Sequence, residues 1–280
     1  MSTDAGFCGL RQTSRLRFWV EDSGGDGEPL LLVSGLGYSS WCWAELRDAL
    51  RDRWRVISFD NRGTGRSEQP AGPYSIAMLA DDAASVLEAC GVQTADVLGH
   101  SMGGYIALTL ARRHPQRVRS LVLVSTAGGG RGCLPLPADT RAAWLAAAGL
   151  PPEQYARRTM PLSFAPGWTE RHPERFERYL HSRLQHPTPP ACWAAQFQAC
   201  EQYFAEGVGA ERITQPALVM HGTADRVIPF ANGELLASQL PNARLLRLDG
   251  VGHLPYLEEP EQLTRELLNF LGSIITLDRT

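Results

Sequence analysis

No lysine occurs anywhere in the 280 residues; all 27 basic side chains are arginine. That absence removes a lysine nucleophile, a Schiff base and a Walker-type phosphate lysine from consideration. An excess of either charge is lacking as well, with 27 basic and 30 acidic side chains. The formal net charge is -3, and no run of basic residues is present to neutralise a row of phosphates, so a nucleic-acid partner is not expected. Long apolar runs are missing too. Met1–Arg17 has no apolar core of the signal-peptide kind, and no stretch approaches membrane-spanning length. The expectation is a cytoplasmic protein that does not enter a membrane. Cysteines are few and scattered: Cys8, Cys42, Cys90, Cys133, Cys192 and Cys200 form no C-x-x-C pair, and none has a metal-ligand spacing to a nearby histidine. With no H-E-x-x-H either, reduced thiols and no bound metal are expected.

What is present is the composition of a globule able to build one sizeable core, 44% hydrophobic and 20% charged. Leu16–Val20 reads as a strand, turned by Ser23–Gly27 into the apolar run Leu30–Val33 as an opening hairpin. A helix over Trp41–Leu50 leads to a strand over Arg55–Phe59. A helix follows over Ile76–Cys90, stopped by Gly91, and then the short strand Ala95–Gly99. A helix over Met102–His114 ends before Pro115, and Val118–Ser125 reads as a buried strand. Strand and helix in alternation imply a parallel sheet. From Gly128 to about Arg212 the strand pattern stops and prolines recur. Helices over Arg141–Ala148, Glu174–Leu184 and Ala191–Phe204 fit between them and carry many aromatic residues, which suggests an aromatic-rich helical cap. The alternation resumes with Ala217–Met220, a helix near Asn232–Gln239, a strand over Ala243–Leu248 and a helix over Pro260–Leu271. One core, residues 1–127 and 213–280, is therefore expected around an insertion at 128–212.

The strongest chemical signal is Gly99-His100-Ser101-Met102-Gly103, a G-x-S-x-G sequence placed after a strand and before a helix. A sharp turn there lifts a serine side chain above the sheet, where it can meet a base and a substrate together. A serine hydroxyl needs a histidine to take its proton, and the histidine needs a carboxylate to hold its tautomer. Of seven histidines, His253 is the best placed, in the loop after the last strand, where active-site loops of α/β folds collect. Asp225, in His221–Val227 after the preceding strand, supplies the acid and gives the chain order Ser, Asp, His; Asp249 is the rival acid. His100 is expected to point away from Ser101, and His221 to pack at a strand end. Two amides are needed for an oxyanion. Met102, at the start of a helix, supplies one, and Leu36, in Ser34-Gly35-Leu36-Gly37, is assigned the other.

Taken together, G-H-S-M-G-G, the upstream D-N-R-G-T-G-R-S of Asp60–Ser67, H-G-T-A-D-R-V and G-V-G-H-L resemble the α/β-hydrolase superfamily over nearly the whole chain. The resemblance implies a mostly parallel eight-stranded sheet flanked by helices, with a helical cap inserted after the sixth strand. It makes Asp60–Ser67 a structural loop near the active site. Many relatives begin the oxyanion loop with His-Gly, whereas Ser34-Gly35 stands here. Serine rather than aspartate at position 101 argues against the haloalkane dehalogenases and epoxide hydrolases of this superfamily. The chain is similar to carboxylesterases, 3-oxoadipate enol-lactonases and cofactor-free perhydrolases, which implies hydrolysis of a small, apolar ester or lactone without a cofactor. Thioesterases and carbon–carbon hydrolases share the same motifs and are the alternatives on the same fold.

Two readings of other classes compete. Gly35-Leu36-Gly37 with Asp60 after the next strand resembles half of a dinucleotide fingerprint, but Ser40 stands where its third glycine belongs. A non-catalytic small-molecule binder on the same scaffold is the other, and the presence of all three candidate catalytic residues speaks against it.

Overall fold

The computed structural model describes residues 6–278. Of the N-terminal stretch without an apolar core, Met1–Ala5 lies outside the described residues. Eight strands form one sheet: β1 (Phe7–Gln12), β2 (Arg17–Asp22), β3 (Glu28–Val33), β4 (Trp54–Phe59), β5 (Ala95–His100), β6 (Val118–Val124), β7 (Ala217–Gly222) and β8 (Ala243–Leu248), in the order β1-β2-β4-β3-β5-β6-β7-β8. β1 and β2 are antiparallel to their neighbours, and the pairs from β4 through β8 run parallel. Burial explains the order. β5 and β7 are buried at every position and hold the interior, whereas the edge strand β1 is half exposed throughout.

The expected opening hairpin is corrected. β2 pairs with β1 and, on its other side, with β4, through Val20 opposite Phe59; Leu30–Val33 lies beyond β4 and parallel to it. The Ser23 turn crosses β4 instead of closing on β2. The Ser23 amide donates to the Val56 carbonyl at 2.9 Å, the Val56 amide donates to Ser23 Oγ at 2.9 Å, and Arg55 grips Asp22. Leu30–Val33 is fully buried on both faces and takes a central place that β2, half open to solvent, does not need. β1 itself went unforeseen because an edge strand with Gly9 at its centre gives little apolar signal.

Successive side chains of the sheet feed two cores. Leu31, Val33 and Val97 pack under α2 (Ile76–Ala89), α3 (Met102–Arg113) and α9 (Phe230–Gln239); Leu30, Leu32 and Leu98 pack under α1 (Ala44–Leu50) and α11 (Pro260–Asp278). The helix expected from Trp41 starts as a 3-10 turn over Ser40–Trp43 before α1. Between β6 and β7 the chain leaves the sheet for five helices: α4 (Ala138–Ala147), α5 (Pro152–Thr159), α6 (Trp168–Arg171), α7 (Pro173–Gln185) and α8 (Pro190–Glu206). Three of them open with proline in the first turn, where its missing N–H costs nothing. Pro152, Pro173 and Pro190 of the insertion are therefore helix starts, and α5 and α6 are additions to the three helices expected there. A short α10 (Pro255–Glu258) precedes α11. Among the described residues no helix is long and apolar enough to cross a membrane.

α3 and β3 meet at a close approach. A Cβ on Gly103 would fall 2.0 Å from the Val33 carbonyl oxygen, whereas one on Gly272 in α11 would meet nothing within 4 Å. Gly103→Ala should lower the unfolding free energy by about 1–3 kcal/mol, and Gly272→Ala should raise it by roughly 0.5–1 kcal/mol. Urea unfolding of the two variants checks this, and equal midpoints would refute the close packing.

Candidate active site

The turn from β5 into α3 holds Ser101 at φ 54° and ψ -121°, a left-handed conformation that a side-chain-bearing residue adopts only when its surroundings enforce it. Three bonds enforce it here. The Ser101 amide donates to Val124 O at 3.0 Å, and Ser101 O accepts from the Gly104 amide and from Thr126 Oγ1, both at 2.8 Å. The side chain faces a cavity between the strand ends and the inserted helices. His253 and Leu36 line the same cavity from the loops after β8 and β3, and Met102 from the start of α3.

His253 Nδ1 lies 2.8 Å from Asp225 Oδ2. Asp225 is buried and its other oxygen accepts the amides of Val227 at 2.8 Å and Ile228 at 2.9 Å. Burial pushes its pKa up, but the neighbouring His253 and His221 and their hydrogen bonds outweigh burial and hold the carboxyl well below its ordinary value. An ionised carboxylate only accepts, so the 2.8 Å contact calls for the proton of His253 to sit on Nδ1. Among the described residues Ser101 Oγ and His253 Nε2 do not yet share a hydrogen bond; such contacts are commonly loose before substrate binds. The rival Asp249 is on the surface, 77% exposed and paired with Arg247 at 2.6 Å, so it has no part in the cluster.

Leu36 and Met102 present amides that, among the described residues, donate to no protein acceptor. The loop that carries Leu36 is well supported without the His-Gly of many relatives. Ser34 Oγ accepts from Trp43 Nε1 at 2.8 Å, Ser34 O accepts from Asn61 Nδ2 at 3.0 Å, and the Gly37 amide donates to Gln196 Oε1 at 3.1 Å. Gln196, fully buried in α8, also donates to Arg62 O and Thr64 Oγ1, which ties the inserted helices to Asp60–Ser67. Asp60 spends both oxygens on the Ser40 and Arg66 amides and is buried. Facing no ribose site, it removes the basis of the dinucleotide reading.

Two further histidines adjoin this cluster, and His221 packs at the end of β7 as expected. His100 does not simply point away: its ring lies 4.7 Å from that of His253, and its Nε2 is 2.8 Å from the His253 carbonyl oxygen. Burial, then the neighbouring His253, hold its pKa well below the ordinary value, so the neutral ring donates to that carbonyl and supports the backbone of His253. His221 is fully buried, with Nε2 at 2.9 Å from Ile228 O and 3.2 Å from Asp225 Oδ2. Its position four residues before Asp225 was the one signal available, and only the turn geometry turns that spacing into a contact. The inserted aromatic residues divide: Trp144, Trp193 and Phe197 line the cavity, while Phe164, Trp168 and Phe176 form a buried cluster with a 4.4 Å stack.

The family model of the alpha/beta hydrolase fold matches residues 28–260. The chain belongs to the α/β-hydrolase family. Among curated relatives it is similar to a protein of Azorhizobium caulinodans named as the carbamate hydrolase RutD, 33% identical over 89% of this chain and 93% of that one. It is also similar to a 2-hydroxymuconate semialdehyde hydrolase of Pseudomonas putida, 34% identical over 89% and 88%. Among solved structures, the enol-lactonase of Burkholderia xenovorans superposes with a TM-score of 0.82 at 27% identity, covering 94% of this chain and 99% of that one. The eight-stranded, mostly parallel sheet is thus that of an α/β hydrolase, and the chain is a hydrolase by family.

The depressed pKa of Asp225 has a consequence for this hydrolase's stability. The contribution of the ionised group is present above the unfolded carboxylate value of about 3.9 and is lost as pH falls through the lower folded value. Asp225→Asn should therefore be less stable than the wild type near neutrality, with the gap narrowing below about pH 4. Denaturant unfolding across pH checks this; a gap that stays constant would contradict it.

Proposed function

We propose that this α/β hydrolase is a serine-dependent hydrolase of a small, largely apolar carboxylic ester or lactone, acting through an acyl-enzyme. The observation that carries the reading is the strained Ser101 on the same cavity as a His253 locked to Asp225 at 2.8 Å. In this reading His253 Nε2 takes the proton of Ser101 Oγ as the oxygen attacks the substrate carbonyl. Asp225 stabilises the imidazolium, and the Leu36 and Met102 amides receive the oxyanion, each such donor lowering the barrier by roughly 3–4 kcal/mol. His253 then returns the proton to the leaving group, and water attacks the acyl-enzyme by the same path. Side chains and amides supply every group the steps need, with no cofactor or metal. Residues 128–212 act as a cap on a core of residues 1–127 and 213–280. The six unpaired thiols accord with a cytoplasmic setting.

The cavity also suggests one polar requirement. Arg183 of α7 lines it, with its guanidinium 4.8 Å from the Tyr38 ring and 3.3 Å from Tyr38 Oη, and no carboxylate pairs with it among the described residues. Glu201, on the same cavity, is bound to Arg141 at 2.9 Å. An unpaired guanidinium beside apolar walls suits a substrate with one anionic end. This favours a second reading, carbon–carbon hydrolysis, since a 2-hydroxymuconate semialdehyde carries a carboxylate and a relative is named for it.

The deciding assay is hydrolysis of p-nitrophenyl esters of increasing acyl length by wild type and Ser101→Ala. Turnover lost by several orders of magnitude in the variant supports the serine esterase; retained turnover overturns the assignment, and a wild type inert to esters but active on a ring-cleavage product selects the carbon–carbon reading. Asp225→Asn should lower kcat by roughly 10³–10⁴-fold, whereas Asp249→Asn should match the wild type. Arg183→Gln should raise KM for esters that carry a free carboxylate and leave neutral esters unchanged; a uniform effect would remove the anionic requirement.

A further inference from the structure

Glu258, the last residue of α10, is 4% exposed and has no part in the chemistry above. Both of its carboxyl oxygens lie 3.1 Å from the Gly252 amide, and Oε2 also accepts from the Ala165 amide at 3.1 Å. Gly252 immediately precedes His253, and Ala165 belongs to the inserted segment. One residue further on, the His253 amide donates to the Ser163 carbonyl at 2.9 Å. Three amides and one carboxyl thus join the histidine loop to residues 163–165 in a short ladder. Gly252 has to be glycine for the two backbones to lie so close: a Cβ there would fall 2.3 Å from the Ala165 nitrogen and 2.5 Å from the Phe164 carbonyl carbon. From the other side Arg226, next to Asp225, donates to Pro161 O at 2.8 Å and Phe164 O at 3.1 Å. The inserted segment is therefore bonded to the loops of both the base and the acid.

Among the described residues no arginine or histidine pairs with Glu258; its hydrogen-bond donors are backbone amides. A carboxyl buried without a cation costs stability unless donors surround it. Here those donors come from two parts of the chain separated by 87 positions between Ala165 and Gly252, so neither part satisfies it alone. We propose that Glu258 is a positioning residue that clamps inserted residues 163–165 to the Gly252–His253 loop, so that His253 reaches its working position only when the inserted helices are seated. It acts through His253 and touches no substrate. The proposal rests on the reading of Ser101 and His253 as nucleophile and base.

The test uses the full-length protein and two variants. Glu258→Gln keeps the shape but places an amide NH2 against an amide donor. Ala165→Pro removes the donor on the inserted side and sets a ring carbon against Glu258 Oε2, which opens the same contact from the opposite strand of the seam; the extended backbone of Phe164, at ψ 162°, accommodates a following proline. Circular dichroism confirms folding, and kcat and KM are measured on a p-nitrophenyl ester alongside the rate at which a fluorophosphonate labels Ser101. Both variants should lose at least about tenfold in kcat and in labelling rate, with KM changed less than about twofold, because the base is displaced and the cavity is not. Folded variants that label and turn over at the wild-type rate, or that lose activity only through KM, overturn the clamp. If Glu258→Gln does not fold, Ala165→Pro alone decides. A wild type that fails to label at Ser101 would instead sink the serine reading, and the two failures are thereby distinct.

Discussion

The site is organised around one buried carboxylate. Asp225 receives the Val227 and Ile228 amides on one oxygen and both His253 and His221 on the other. Those contacts offset the cost of holding a charge away from water. They also impose geometry, because the turn after β7 must curl so that the amides two and three residues on point back at their own side chain. The loop after β8 must then bring a ring nitrogen to the remaining oxygen. The loops that β7 and β8 deliver to one end of the sheet are in this sense tuned to each other through a single group.

How far this was legible in the sequence follows from where the information sits. Ser101, His253 and Asp225 could be named because each lies in a loop directly after a strand, and the parallel alternation sends such loops to one edge. The same logic makes the Leu36 amide a candidate oxyanion donor, and the helix start does so for Met102. The strand order was harder. The pairing of β2 with β1 and β4 depends on which strands are buried on both faces, a property of the assembled sheet that the local pattern of Leu16–Val20 does not encode. The contact of His221 with Asp225 is not encoded locally for a related reason: His221 lies at the end of β7, and only the turn that follows brings the two groups together. Asp249, with the same spacing to His253 as a rival acid, faces solvent instead.

The inserted helices do two things with one composition. Part of their aromatic content, from Phe164 to Phe176, is spent on holding the segment together, and part, Trp144, Trp193 and Phe197, forms the cavity wall. Polar side chains then stitch this segment to the core at defined points: Gln196 to the loop of Leu36, Arg226 to Pro161 and Phe164, and Glu258 to Ala165. Each of these is buried or half-buried and bonded to backbone groups across the seam, which makes it specific in register where apolar packing alone would permit sliding.

The left-handed backbone at Ser101 places the protein at an unusual point in sequence space. Glycine alone among the amino acids would sit there without strain, and it would bring no hydroxyl. Stability and the proposed nucleophile thus make opposite demands on one position, and a change to glycine would relieve the backbone while removing the hydroxyl.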